Sequence, residues 1–311
     1  MQDHPAPLKI MDMKSLDPQM MAGPALQRLL QGAIAPRPIA LASTIDRQGN
    51  QNLSPFSFFN LFGINPTTLI FSPSRRSRDN TVKHTYENVK EVPEVVINMV
   101  NHAMVEQVSL ASTEYPRGVS EFIKAGFTPI PSETIRPMRV KESPVQLECK
   151  VRQVIETSAL GGSANLVICE ILRVHIDEGV LDEKGDIDPK RIDLVGRMGG
   201  DLYVRASGEA LFRVAKPLER LGIGVDHLLE AIRLSEELSG NDLGRLGNME
   251  QLPTAADMAE ARQLEAYQNL MGTGMDEGSR QSGLHRLARE YLLRGEARMA
   301  LSILYAYHLS S

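Results

Sequence analysis

Residues 145 to 177 read "VQLECKVRQVIETSALGGSANLVICEILRVHID", and these two runs restrict the fold more than any other stretch. In the first run Val145, Leu147, Cys149 and Val151 point one way, while Gln146, Glu148, Lys150 and Arg152 point the other. That period of two belongs to a strand with one buried and one wet face. "GGSAN", Gly161 to Asn165, turns the chain, and "LVICEILRVHID" returns beside it. A long hairpin of this kind demands an antiparallel sheet, because parallel neighbours need a crossover between them.

The upstream sequence reads in the same way. "PIALASTIDRQGNQNLSPFSFFN" predicts a strand through Ile39, Leu41, Thr44 and Ile45, a turn at Asp46 to Asn50, and a second strand over 51–60. "TTLIFSP", Thr67 to Pro73, is a third strand and "EVVINMV", Glu94 to Val100, a fourth. Between them "RDNTVKHTYENVKEV" predicts a short helix with Asp79 or Asn80 as its N-cap. Antiparallel strands with short helical insertions predict a barrel rather than a doubly wound parallel sheet.

From about Ala210 the pattern becomes helical. "VDHLLEAIRLSEEL" places Val225, Leu228, Leu229, Ile232 and Leu238 near one face, and Thr254 is an N-cap for "TAADMAEARQLEAYQNLM". "GLHRLAREYLLRGEARMALSILYAY" is one interrupted helix or two, with the break near Gly295. The glycine-rich "SGNDLGRLGN" reads as a turn-rich connector or as an anion-binding nest. The expected organisation is an N-terminal arm over 1–29, a barrel domain over 30–209 and a helical extension over 210–311.

Charge and motifs exclude several chemistries. A net charge of -5 over 311 residues argues against a general nucleic-acid binder, which needs a broad basic face. Cys149 and Cys169 lack C-x-x-C spacing and lie in strand-like runs, so buried free thiols are expected. The chain has no phosphate-binding P-loop, no G-x-S-x-G elbow and no H-E-x-x-H. Its seven histidines are scattered without metal-ligand spacing, so no metal site is expected. "MQDHPAPLKIMDMKSLDPQ" has no apolar core of a secretory signal, and no run approaches a membrane span, so a cytoplasmic location is expected.

Two segments point to a ligand. In "NLSPFSFFN", residues 52 to 60, Phe56, Phe58 and Phe59 are threaded among Ser54, Pro55, Ser57 and Asn60. On a strand Phe56 and Phe58 share a face, so Phe59 is expected in the core and Phe56 nearer a ligand. Downstream, "SPSRRSRDNTVKH" gathers Arg75, Arg76, Arg78 and Lys83 with Ser72, Ser74, Ser77 and Thr81 in an acidic chain. Guanidinium forks and hydroxyls match the oxygens of a phosphate, and the segment leads into a predicted helix N-terminus. A solvated charged loop is the other reading of the same residues. Side by side, the apolar surface and the phosphate clamp suit a phosphorylated aromatic cofactor.

These residues also carry a resemblance. "APRPIALASTIDRQGNQNLSPFSFFN", "NPTTLIFSPSRRSRDNTVKHTYEN" and "EVVINMV", followed by "YPRGVSEFIKAGFTP", "SPVQLECKV" and "VGRMGGDLYVR", resemble the flavin reductase-like family of FMN-binding split barrels, which includes flavoredoxins. The likeness covers roughly residues 30 to 205 and says little about the helical extension. It implies a mainly β fold, a six-stranded antiparallel Greek-key split β-barrel, followed here by the α-helical extension. It further implies a homodimer with FMN in a groove at or near the subunit interface. By this resemblance Asn52, Leu53, Ser54, Pro55, Phe56 and Ser57 line the isoalloxazine, and Ser72, Ser74, Arg75, Arg78, Asp79 and Thr81 hold the phosphate. The sequence departs from the family in having Arg78, Asp79, Asn80 and Thr81 where a more compact Lys-Asp-Thr is usual.

The activity implied is an NAD(P)H-dependent flavin reductase, in which hydride passes to flavin N5 and no catalytic side chain is required. NADH or NADPH is then the electron donor. The alternative is a non-enzymatic FMN-binding electron carrier or flavin-dependent sensor whose helical extension docks a protein partner. Glu121, Arg197, Asn98 and Arg37 lie in or beside the matching motifs, and each reads either as a cofactor contact or as a structural residue.

Overall fold

The computed structural model describes residues 12–215, 221–272 and 274–309. The chain divides into two compact units, one over Lys14–Phe212 and a helical one from Arg213 onward.

The first unit holds strands β1 (Ala40–Ile45), β2 (Gln51–Phe56), β3 (Phe59–Ile64), β4 (Thr67–Phe71), β5 (Glu94–Met99), β6 (Pro129–Ile130) and β7 (Arg139–Val140). It continues with β8 (Val145–Glu156), β9 (Asn165–Ile176), β10 (Val195–Arg197) and β11 (Tyr203–Arg205). Its helices are α1 (Gly23–Ala33), α2 (His84–Glu91), α3 (Val105–Leu110), α4 (Glu121–Ala125) and α5 (Pro189–Ile192). Seven strands form one antiparallel sheet in the order β2-β1-β5-β8-β9-β4-β3, and β6–β7 and β10–β11 are separate pairs.

The connection between β2 and β3 closes the barrel. These strands lie at opposite edges of the sheet, yet only Ser57 and Phe58 separate them in the chain. Phe56 and Phe59 are therefore within about 11 Å of each other, the reach of an extended three-step link. A seven-stranded sheet whose outer edges are tied so closely must curl, and the edges meet at an unpaired seam. The single strand expected over 51–60 is thus two strands, and "NLSPFSFFN" crosses the seam.

Both faces of β1 are covered, and all six of its residues are buried. Ala40 and Ala42 join Phe56, Phe71, Ile97, Cys149 and Cys169 in the barrel interior. Leu41 turns to the other side, against Met104, Phe122, Phe127 and Val140. The two cysteines are free and buried, and burial holds both thiols above their ordinary pKa.

The 145–176 hairpin forms as its alternation predicts, but its polar face is not wet throughout. Gln146 and Glu148 are buried, because residues 133–139 fold over them. Glu148 accepts from the N–H groups of Glu133 and Thr134, at 2.8 and 2.7 Å, and from His175 Nε2 at 2.8 Å. Burial pushes its pKa up, but donors from Thr134, Glu133 and His175 outweigh that and hold it at about 2.

The helical unit contains α6 (Glu230–Arg233), α7 (Gly240–Gly247), α8 (Ala255–Gln263), α9 (Glu265–Gly272), α10 (Glu277–Leu293) and α11 (Ala297–His308). Ile232, Leu246, Leu284, Leu292, Leu301 and Leu304 meet in its core. Thr254 caps α8 in a reciprocal pair with Asp257. Gly295, at φ +85°, separates α10 from α11. Two expectations need correction here. The segment 225–238 is not one helix but a single 3-10 turn followed by α6. "SGNDLGRLGN" is neither connector nor nest but the capped helix α7, in which Ser239 and Asp242 form a capping box. Among the described residues no helix is long and apolar enough to cross a membrane.

Candidate functional site

A cavity of about 410 Å³ opens beside the seam. One wall is Pro55, Phe56, Ser57 and Phe58; the other is Ser72, Ser74, Arg75, Arg76, Ser77, Arg78 and Lys83. Gln27 and Gln31 of α1 and Glu114 complete it.

The apolar wall is fixed from below. Phe56 is 5% exposed and packs on Phe71 with ring centroids 5.5 Å apart, so it serves the core and the cavity together. Phe59 is partly buried against the same cluster. Phe58, 44% exposed, is the aromatic side chain that the seam leaves uncovered. Ser57 is held by Arg37, whose Nε lies 3.4 Å from its Oγ. Arg37 is buried, and its guanidinium also donates to the carbonyls of Gln31, Ile34 and Met198. It therefore ties the end of α1 to the seam and lies within the fold rather than at an exposed strand entrance.

The charged wall is a folded loop. Ser72 N–H donates to Phe58 O at 2.9 Å, which joins the two walls. Arg75 pairs by its backbone with the β8–β9 turn, to Ser163 O at 3.0 Å and from Gly162 N at 3.1 Å. The glycines of that turn permit the contact: a Cβ on Gly161 would stand 3.1 Å from Arg76 O, and Gly162 has φ +85°. Asn80 adopts φ 58° and, from this left-handed position, receives the Arg75 guanidinium on its Oδ1 at 2.9 Å and its own carbonyl at 3.0 Å.

This local structure moves the predicted helix start. Asp79 does not cap a helix; its Oδ1 accepts from Thr81 N–H at 3.0 Å and from the Thr81 hydroxyl at 2.6 Å. Those Thr81 bonds, and then Arg78, hold the Asp79 carboxyl at about 2. Helix α2 begins only at His84, with Lys83 in the cap position and no side chain capping its first turn.

The four cations are not equivalent. Glu114 bridges two of them, with Oε1 2.7 Å from Arg76 Nε and Oε2 bonded to Arg78 Nη2. Arg78 also pairs with Asp79 at 3.1 Å. The Arg75 guanidinium bonds to the neutral Asn80, and Lys83 Nζ stands 5.2 Å from the centroid of the Phe56 ring. Neither has a carboxylate in ion-pair contact among the described residues. Burial, and then Arg76, lower the Lys83 pKa, as expected for an ammonium that lacks a partner.

Of the residues predicted from sequence, the cavity brings together Pro55, Phe56, Ser57, Ser72, Ser74, Arg75 and Arg78. Asn52, Leu53, Ser54, Asp79 and Thr81 are outside its wall. Asn52 donates to Thr85 Oγ1 at 3.0 Å, and Ser54 pairs with Ala42 in the β1–β2 ladder. Leu53 is fully buried, and its N–H is taken by Glu121 Oε2 at 3.0 Å. Glu121 is itself buried, which raises its pKa. Asn98 satisfies barrel backbone, donating to Leu41 O at 3.0 Å and accepting from Val140 N at 2.9 Å.

Arg197 lies over the Tyr203 ring beside a second cavity of about 440 Å³ that also takes in His102, Glu106, Asp201 and Arg205. Gln27, Gln31, Phe58 and Glu114 line the cavity although the sequence reading does not assign them to a site. Arg76, Ser77 and Lys83 belong to the basic cluster read from the sequence but not to the residues assigned there to the phosphate, and all three line the cavity.

Residues 33–191, just over half of the 311-residue chain, match the family described as the flavin reductase like domain. An uncharacterized protein of Aquifex aeolicus is 36% identical over 192 residues, 62% of this chain and 95% of that one. The nitrilotriacetate monooxygenase component B of Bacillus cereus superposes with a TM-score of 0.61 at 28% identity, covering 66% of this chain and all of that one. The 2-nitrobenzoate 2-nitroreductase NbaA of Pseudomonas fluorescens gives 0.58 at 27% identity, covering 68% and 100%. The chain belongs to the flavin reductase-like family, as a split barrel with a further helical unit after the shared domain.

Proposed function

From that membership we propose that the protein binds FMN in the seam cavity and acts as an NAD(P)H-dependent flavin reductase. The observation that carries this proposal is the pair Arg75 and Lys83, two cations with no carboxylate in ion-pair contact among the described residues, beside the hydroxyls of Ser72 and Ser74. A phosphate monoester carries close to two negative charges at neutral pH, which these two cations match. Phe58, Pro55 and the edge of Phe56 offer an adjoining apolar surface for a flat ring. The relatives named as a nitroreductase and as a monooxygenase component support redox chemistry.

FMN, when bound, supplies the hydride acceptor at N5. The protein's part is to hold and orient. Asn80 fixes the Arg75 guanidinium before any ligand arrives, so little side-chain freedom is lost on binding. Lys83 adds a charge at the uncapped start of α2, where free N–H groups also favour an anion. Arg37 holds Ser57 in place, and the Ser72 to Phe58 bond keeps the two walls in register.

The protein acts as a homodimer in this proposal. Its support is the edge strand β3, where Phe62 and Ile64 are 64% and 72% exposed and Leu61 is also open. Such an apolar edge next to the cavity suits a partner surface.

The test is anaerobic mixing of FMN-loaded protein with NADH or NADPH, followed by flavin absorbance. Bleaching within seconds is expected with at least one of the two. Bound flavin that neither donor bleaches would favour the electron-carrier alternative.

A further inference from the structure

We propose that Glu114 is a built-in competitor for the anion taken up by the seam cavity and sets how tightly that anion is held. The proposal rests on the phosphate reading above. Glu114 lies on the segment between α3 and α4, remote in sequence from the arginine loop, yet it lines the same cavity. Its two oxygens engage two guanidiniums, Arg76 and Arg78. A phosphate oxygen would seek the same charge-assisted bonds from the same groups.

The other bonds of these two guanidiniums stay within their own loop. Arg76 Nη1 already donates to Thr81 Oγ1 at 3.0 Å and to Val82 O at 2.5 Å, and Arg78 Nε is occupied by Asp79. The carboxylate that an incoming anion meets from outside the loop is Glu114, whose charge it must compete with at both guanidiniums. Its side chain is 41% exposed, so it can turn toward water without leaving a buried charge behind. Arg76 and Glu114 also act in opposite directions on Lys83, which places the carboxylate within electrostatic reach of the unpaired ammonium. Four cations stand against Glu114 and Asp79 in this loop region, leaving two positive charges; neutralising Glu114 leaves three. A like charge beside a bound anion weakens it, and removing that charge strengthens it.

A structural role for Glu114, pinning the arginine loop to the 111–120 segment, predicts the opposite sign. Titrating the full-length protein with FMN and with riboflavin separates the two. Glu114→Gln and Glu114→Ala are expected to lower the FMN dissociation constant about five- to tenfold, with riboflavin unchanged, and the gain shrinks as salt is raised. Glu114→Asp keeps the charge and stays within about twofold of the wild type. Melting curves confirm that each variant is folded. Folded Gln and Ala variants that bind FMN equally or more weakly would overturn the proposal, as would an Asp variant that tightens as much as the Gln variant. If the wild type binds FMN no better than riboflavin, the phosphate reading fails first. If it prefers FMN and the variants do not tighten, only the role of Glu114 fails.

Discussion

The start of α2 in the barrel differs from three helix starts in the helical unit. In the helical unit α7, α8 and α10 each begin on a polar side chain that accepts from the third residue of the helix: Ser239 from Asp242, Thr254 from Asp257 and Asp276 from Ser279. Such pairs satisfy the N–H of the third helical residue from within the helix. In the barrel, α2 begins at Lys83 with no side-chain cap, beside an ammonium and a guanidinium that no carboxylate among the described residues pairs. Interactions that close on themselves stabilise a fold, whereas polar groups left open beside a cavity mark where binding energy is available.

The largest effect that separates the units is expected from Leu301→Ala. Leu301 is fully buried in the helical core, and its truncation costs about 2–5 kcal/mol in the melting of that unit. FMN affinity should stay unchanged; a parallel loss of FMN binding would break the distinction between a stabilising unit and a binding unit.

Acid should also separate the two units. His285 is buried, with Nε2 3.0 Å from His308 Nε2 and Nδ1 2.7 Å from Ser235 Oγ. Burial, and then His308, bring its pKa down to about 4, against the pull of Glu237. The unfolded histidine keeps its ordinary value near 6.5, so the unfolded chain binds more protons between those limits. Stability of the helical unit therefore falls as pH drops from about 6.5 toward 4, by on the order of 2–3 kcal/mol. Glu148 of the barrel has a lowered pKa, and its contribution is lost only as pH falls from 4.5 toward about 2. Circular dichroism melts across this range should show helical signal failing first; simultaneous failure would contradict the assignment.

A smaller effect tests the apolar wall. Phe58→Ala removes a half-exposed ring, and about 1 kcal/mol, roughly a fivefold loss, is expected for FMN and riboflavin alike. Phe56→Ala, by contrast, should lower the melting temperature as well, because its ring packs on Phe71 inside the barrel. Phe56 lines the cavity, whereas Phe59 does not, but Phe56 is also buried against Phe71 and so serves the core as well.

Local signals in the sequence accounted for much of the sheet. The β1–β2 hairpin follows from alternation and the "DRQGN" turn, and β8–β9 from the long alternating runs. What depends on distant contacts was not legible. Nothing near Gln146 or Glu148 shows that residues 133–139 will cover them. Nothing near Glu114 shows that it will meet an arginine loop 36 residues upstream. The start of α2 was missed for a different reason: Asp79 has a choice between capping a helix and bonding Thr81, and it takes the local turn. In α7 a capping box and the apolar contacts of Leu246 outweigh three glycines, which intrinsic propensity alone would not predict.

The central claim is that Arg75 and Lys83 form the anion-holding half of one flavin cavity. Its most direct test is to measure FMN and riboflavin affinities side by side for the wild type and the Arg75→Ala/Lys83→Ala double variant. FMN should bind at least about tenfold more tightly than riboflavin to the wild type, and the variant should lose most of that difference while binding riboflavin as before. Equal wild-type affinities, or a variant that weakens both ligands alike, would contradict the account.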